Sequence, residues 1–475
     1  MKKILYLSLL LCAVLSVCIL SFASCDRTEP PNQTQDSTSS VLPGETENPP
    51  EPVEATGLKY TVNSDKKTCT VTGIGKCKES LILIPESIDG YRVTVIGAYA
   101  FKNCDTIISV TLPESVTAIG KGAFKNCEFL RELILPDALV SIDKYAFENC
   151  SVLADIILPE ELRFIGASAF KNCSALTEIT IPASVTTIEK DIFYKANNLS
   201  TVYYNSPYGS SGNNFLNTKS ITKIVFGGEI IPEFICKKCE NLTEIIIEDT
   251  VLSIGDGAFF LCTGIVEITV PDSVTDIGYG AFSFCSALID ITLPSALTEI
   301  SDSLFQNCSA LTDITIPDTV ESIGCEAFLG CSALTSVVLP DSLTSMDIGA
   351  FRECSALTNI KIPDGVTEIS DEVFKNCSSL TSIILPQGTE IIGNWAFSHA
   401  GLKEICFNGT EEEWSDVKKE FGWNNGMHGY VVLFENDETE DKDDDKNEDG
   451  DSDDTQETEE SQKAEHTEAL SEIIL

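Results

Sequence analysis

The chain reads as a β-rich solenoid of about fourteen units, most of them 23 residues long, with short strands and short helical or 3₁₀ turns. Three observations carry this. A cysteine recurs at positions 104, 127, 150 and 173, and again at 239, 262, 285, 308, 331, 354 and 377. Counted from that Cys as zero, apolar residues fall at +3, +6, +8, +12 and +15, with Pro at +9 and Ala-Phe at +19 and +20. A unit of this length cannot bury its own apolar side chains, so the copies must stack and bury them against one another.

Each element of the unit follows from its residues. From Cys150 the inward positions are Leu153, Ile156, Leu158, Leu162, Ile165, Ala169 and Phe170. In the next copy, Leu176-Thr-Glu-Ile-Thr-Ile181 ends in period-two alternation, which predicts a short strand. Pro182 lacks an N–H and ends the ladder there. Val185 and Ile188 predict a second inward-facing edge. The Ala-Phe pair predicts a helical or 3₁₀ turn whose ring plugs the core. Stacking at about 4.8 Å per unit gives a length of roughly 65 Å.

The register continues through an irregular patch. Ile192 and Phe193 take the Ala-Phe slots and Ala196 the Cys slot. Two shorter units follow: the first uses Phe215 as its Phe and Thr218 as its Cys, and the second places Cys236 in the Phe slot and Cys239 in its normal one. Residues 203–214, YYNSPYGSSGNN, read as a loop bearing aromatic residues. The last copy has Ala400 in the Cys slot.

The solenoid is expected over 59–410. Residues 1–25 have a Lys2-Lys3 start and a long apolar run, the pattern of a secretory signal. It ends in Phe22-Ala23-Ser24-Cys25, which resembles a bacterial lipobox and makes Cys25 the expected lipid-attachment residue. An ordinary secreted protein and a retained anchor helix are the alternatives. Residues 26–58, rich in Pro, Thr and Glu, are expected to form a disordered tether. Residues 411–434 carry Trp414, Phe421 and Trp423, then Tyr430 to Phe434, and are expected to cap the solenoid with a short helix and a strand. Residues 435–475 form an acidic, self-repelling tail. The net charge of −43, with no evident basic face, argues against nucleic-acid binding. The closing segment 469–475 is too short to span a bilayer.

The copies ITIPASVTTIEKDIF, ITLPSALTEISDSLF and ITIPDTVESIGCEAF resemble the BspA-like, or Treponema pallidum type, leucine-rich repeats of bacterial surface proteins. Residues 84–101 resemble the opening unit of such arrays, and 407–414 their closing motif. The chain departs from the common leucine-rich pattern because the turn Asn that satisfies backbone groups is absent and Pro182 holds a nearby place. The usual horseshoe curvature is therefore not implied. The resemblance implies a lipid-anchored cell-surface scaffold that attaches to host, matrix or bacterial surface proteins. An extracellular enzyme or glycan-processing accessory is the alternative.

Little in the sequence points to catalysis or to a cofactor. Most of the nineteen cysteines share one rung, where they point alike rather than toward each other and pack as small hydrophobes. Disulfides and thiolate metal sites are the competing readings, and Cys236 with Cys239 has the spacing such sites use. A Ser in this rung is expected to cost more than an Ala, for want of a buried partner. The three histidines, His399, His428 and His466, lie beside no nucleophile in a recognised pattern. In the tail, Asp445, Asn447, Asp449 and Gly450 approach a calcium loop, but Gln456 stands where a bidentate Glu belongs. Weak divalent-cation affinity is all that predicts. Asn-x-Ser/Thr triplets such as Asn172-Cys-Ser174 read as accidents of the repeat turn.

The surface feature that stands out is at +5, which faces outward. It reads Glu132, Asp155 and Glu178, then Glu244, Glu267, Asp290 and Asp313, before becoming Ser336, Asn359 and Ser382. Like charges opposed on a sheet destabilise it, and core formation does not ask for them. Two readings stand: a solubility device, or a stripe that binds a basic ligand or cations.

Overall fold

The computed structural model describes residues 52–208 and 219–434. Cys25, Phe215, Thr218, the calcium-like loop and the acidic tail lie outside them. Over the described residues the chain is a β-solenoid of about 16 turns at the 23-residue spacing, with almost no helix. Each turn contributes two short strands and one compact corner, and successive turns pair in parallel.

The first ladder is built from segments such as Glu178–Ile181, Glu244–Ile247, Glu267–Thr269 and Asp290–Thr292. Its register is one full repeat, with Glu267 opposite Asp290 and Ile268 opposite Ile291. In Glu178–Ile181 exposed and buried side chains alternate strictly, so +5 and +7 face out. The second ladder is narrower: Ser141–Ile142, Phe164–Ile165 and Thr187–Ile188 stack in parallel and bury only their Ile.

The third corner is a run of i→i−3 turns, the 3₁₀-type bonding expected for the Ala-Phe segment. Two left-handed residues interrupt it, at +18 and +22, as in Tyr145 and Asn149 or Ser168 and Asn172. Between them, alternate N–H groups bond to the next turn: Phe124 donates to the Ala146 carbonyl and Asn126 to that of Glu148. Asn and Gly recur at these positions because they tolerate positive φ. Gly166, at +16, meets a different constraint, although Asp143 and Glu189 hold the same position in the turns on either side. A Cβ on Gly166 would lie 2.3 Å from the Lys144 nitrogen of the preceding turn, which as backbone cannot move aside.

Two ladders of side chains fill the interior. The Phe rings from Phe101 to Phe193 stack face to face, as do those from Phe259 to Phe397, with centroids 5.0–5.9 Å apart. Between the two runs Cys236 holds a Phe slot, fully buried. The missing ring is replaced from the first ladder, where Tyr204 packs edge-on to Phe226 and Phe226 edge-on to Phe259.

Beside the rings runs the Cys ladder, whose members are free thiols. From Cys127 to Cys377 most Sγ atoms donate to the carbonyl 26 residues earlier, as Cys150 does to Phe124 at 3.2 Å and Cys285 to Phe259 at 3.3 Å, while Cys262 donates to Cys236 at 3.0 Å. A polar partner is therefore present in this rung, so the expected extra cost of Ser over Ala does not hold. Burial pushes the thiols of Cys127, Cys173, Cys285, Cys331 and Cys377 up to about 12, which keeps them protonated and inert.

Both ends carry more turns than the repeat pattern announces. Val53–Glu54, in the segment expected as tether, pairs in parallel with Ile82–Leu83. At the other end Thr410 and Glu413 form a reciprocal capping box on the helix Glu411–Asp416. Lys418–Lys419 then extends the second ladder and Val431–Phe434 the first.

Candidate binding surfaces

The seven carboxylates predicted at +5 are all exposed. They do not form one stripe. Strand pairing runs Glu178–Thr201–Lys223–Glu244, so a hydroxyl and an ammonium separate a block of three from a block of four. The two short units hid this, because they shift the count between Cys173 and Cys239. Lys223 Nζ lies 2.5 Å from Glu244 Oε1, and Ser109 Oγ donates to Glu132 at 3.0 Å. Among the described residues no ion pair engages Asp155, Glu178, Glu267, Asp290 or Asp313.

Apolar residues flank the carboxylates. Val266 and Ile289, next to Glu267 and Asp290, are about half exposed, and Ile157, two residues after Asp155, is 72% exposed. A flat strip of unpaired carboxylates edged by Ile and Val suits an extended basic segment with apolar side chains. The carboxylates follow one another along the ladder rather than converge. Among the described residues no group of three His, Cys, Asp or Glu is placed to hold a metal ion. His399 Nδ1 lies 2.9 Å from Ser398 Oγ of its own turn. In the loop after the strand Thr201–Tyr204, Tyr204 donates its hydroxyl to the Tyr208 carbonyl at 2.5 Å, and that loop's described part carries no histidine.

A second surface was missed from sequence. The turn corner gathers lysines that are scattered along the chain at +17, +21 and +22. From residue 98 to 195 these corners hold seven lysines against two carboxylates, Glu148 and Asp191. From 256 to 399 they hold six carboxylates against Arg352 and Lys375. The absence of a basic face is thus corrected for one corner, within a strongly acidic chain. Lys102 and Lys121 lie over the Tyr99 ring, Lys125 over Tyr145, and Lys171 and Lys195 over Tyr194, all within 6 Å. Glu148, 5% exposed, is clamped between Lys125 and Lys171. Burial works to raise its carboxyl, but the two ammonium groups outweigh it and hold the group below the usual range. Alongside, the left-handed Asn residues form an amide ladder: Asn126 donates to Asn103, Asn149 to Asn126 and Asn172 to Asn149, at 2.6–2.7 Å.

Residues 94–222, 229–324 and 298–417 match the BspA type leucine rich repeat region. The chain belongs to the BspA type leucine rich repeat family. It is similar to the crystal structure of a leucine-rich repeat protein from Bacteroides ovatus, at 28% identity over 80% of this chain and 98% of that one, with a TM-score of 0.55. It also resembles a leucine rich cell surface protein from Faecalibacterium prausnitzii, at 26% identity over 79% and 100% of the two chains, with a TM-score of 0.35. Pneumococcal vaccine antigen PcpA aligns at 17% identity over 81% and 98%, with a TM-score of 0.37. A search of curated proteins returned no match.

Proposed function

We propose that this protein is a lipid-anchored, cell-surface adhesion scaffold that docks basic segments of host, matrix or bacterial surface proteins on its carboxylate blocks. The observation that carries this reading is the set of exposed +5 carboxylates without ion pairs, edged by exposed Val266 and Ile289 on a regular parallel ladder. Folding gains nothing from that row, since in-register like charges oppose the pairing of their strands. The family membership supports a display scaffold, and the segment ending at Cys25 supports export and anchoring.

The test replaces Glu267, Asp290 and Asp313 together with Ser. Binding of a Lys/Val-rich peptide and of a panel of matrix proteins is measured at two salt concentrations, with calcium titrated in parallel. The triple variant is expected to fold as the parent does and to lose about tenfold or more in affinity, with the loss largest at low salt. Full retention of binding would leave these carboxylates a solubility role alone. Cys25→Ala is expected to release the protein from the membrane fraction or leave the precursor unprocessed.

A further inference from the structure

We propose that the lysine–tyrosine corner of the turns between Tyr99 and Asn197 is a separate binding surface for an acidic polysaccharide, one whose sugar units carry carboxylate or sulfate groups. Seven lysines meet two carboxylates on this corner, and one of these, Glu148, is buried beneath Lys125 and Lys171 and spent on holding them. The carboxylates one position earlier are also committed. Asp143 accepts from the Lys144 N–H, and Glu189 accepts from the Ala167 N–H on the preceding turn. With all four counted, the corner still holds seven lysines against four carboxylates, a formal positive excess within a chain of net charge −43.

The second observation is preorganisation. Lysine side chains on a surface normally sample many rotamers, and ordering them on binding is costly. Here Tyr99, Tyr145 and Tyr194 each lie beneath an ammonium group, so several of these charges already have fixed positions. Lys102 and Lys125 hold the same +21 place in consecutive turns, whose strands repeat at about 4.8 Å, near the length one pyranose adds to an extended glycan.

The third observation selects the class of polyanion. Next to the lysines runs a groove of about 330 Å³ lined by Asn149, Asn172, Ser151, Ser174, Lys195 and Asn197, together with Glu128. Its walls are mostly amides and hydroxyls, with no apolar pocket for a peptide side chain. Each ladder amide spends one N–H on the preceding Asn, which leaves the second to donate outward. Amide donors and hydroxyls beside fixed cations match a ligand that is both hydroxylated and acidic. This corner is distinct from the strand face that carries the +5 carboxylates, so its test does not depend on theirs.

The experiment uses the full chain and four probes of matched length: polygalacturonate, heparin, poly-glutamate and oligo-dT, with neutral dextran as the blank. Polygalacturonate or heparin is expected to bind and dextran not to, with affinity falling as salt rises. The variant Lys102→Gln, Lys121→Gln, Lys195→Asn spares the Glu148 clamp and is expected to lose about tenfold or more. Asn149→Ala with Asn172→Ala removes the amides but no charge, and is expected to weaken the glycans while leaving any residual poly-glutamate binding alone. No binding of either acidic glycan, or binding equal in parent and lysine variant, overturns the proposal. Equal affinity for poly-glutamate or oligo-dT also overturns it, because the corner would then read charge without sugar. Glycan binding that appears only when residues 435–475 are removed overturns it in favour of the chain's own acidic tail as the occupant.

Discussion

Phe282→Ala tests the interior most directly. The ring is wholly buried and lies between Phe259, 5.3 Å away at 10°, and Phe305, 5.9 Å away at 7°. Removing a buried Phe costs about 3–5 kcal/mol, from lost transfer energy and the cavity left behind. Both faces here lose an aromatic partner, each pair contributing roughly 0.5–1.5 kcal/mol beyond its area, which places the cost near the upper end, about 4–5 kcal/mol. A solenoid turn touches only its neighbours, so the loss should be local. Native-state hydrogen exchange reads this residue by residue. Amides of the turns carrying Phe259, Phe282 and Phe305 should lose protection by about a thousandfold, the exchange equivalent of roughly 4 kcal/mol. Amides around Ile119 and Ile142 should hardly change. Phe421→Ala, at a ring 74% exposed, is the control and should stay within about 0.5 kcal/mol. A change under tenfold beside Phe282, or an equal change in every turn, would refute the stacked, nearest-neighbour interior.

Three further outcomes are expected. Gly166→Ala should lower the unfolding free energy by about 1–3 kcal/mol, read as a lower urea midpoint, despite alanine's usual advantage, because its Cβ would meet backbone at 2.3 Å; an unchanged midpoint would show that the turns have slack. Among the described cysteines, native protein treated with a thiol reagent should be labelled only at the half-buried Cys77, Cys104 and Cys325, as read by mass spectrometry after digestion. Cys285→Ser should then stay within about 1 kcal/mol of Cys285→Ala, since the Phe259 carbonyl is in place to accept its hydroxyl. The Glu148 carboxyl is held low when folded, so its stabilising effect is full above the unfolded value of about 4.3 and fades as pH falls through the depressed folded value. Parent and Glu148→Gln should therefore differ in unfolding free energy at pH 7, with the gap narrowing as acid protonates the carboxyl; a gap of constant size through the acid range would refute the clamp.

The repeat was legible because burial imposes it. Cys, Phe and Leu at fixed offsets are the positions where a 23-residue turn must be apolar, and among the described residues they fall inside, apart from the half-buried Cys104 at the first turn. The outward alternation at +5 and +7 followed from the strand period alone. What escaped notice has specific causes. The replacement of a ring at Cys236 by Tyr204 and Phe226 depends on volume across turns, which no offset encodes. Lys223 breaks the carboxylate row inside a short unit, where counting from the Cys slot slips. The lysine corner combines three offsets, and units with Glu148 or Ala167 in those places blur the pattern. The extra turns at both ends use strands without the Cys-to-Phe signature, so only backbone pairing shows them.

The final strand, Val431–Phe434, pairs with Glu404–Phe407 on one side, and no described strand pairs with its other side. A bare parallel edge in register with a long ladder is a template on which a second copy can stack, and repetition of that contact makes a filament. Residues 435–475 follow at once, with nineteen Asp or Glu against three Lys. Two such ends brought together would place these charges within a Debye length of one another, where repulsion is strongest. The charge of this extension thus opposes the meeting of two such edges, a contact that strand geometry alone would favour.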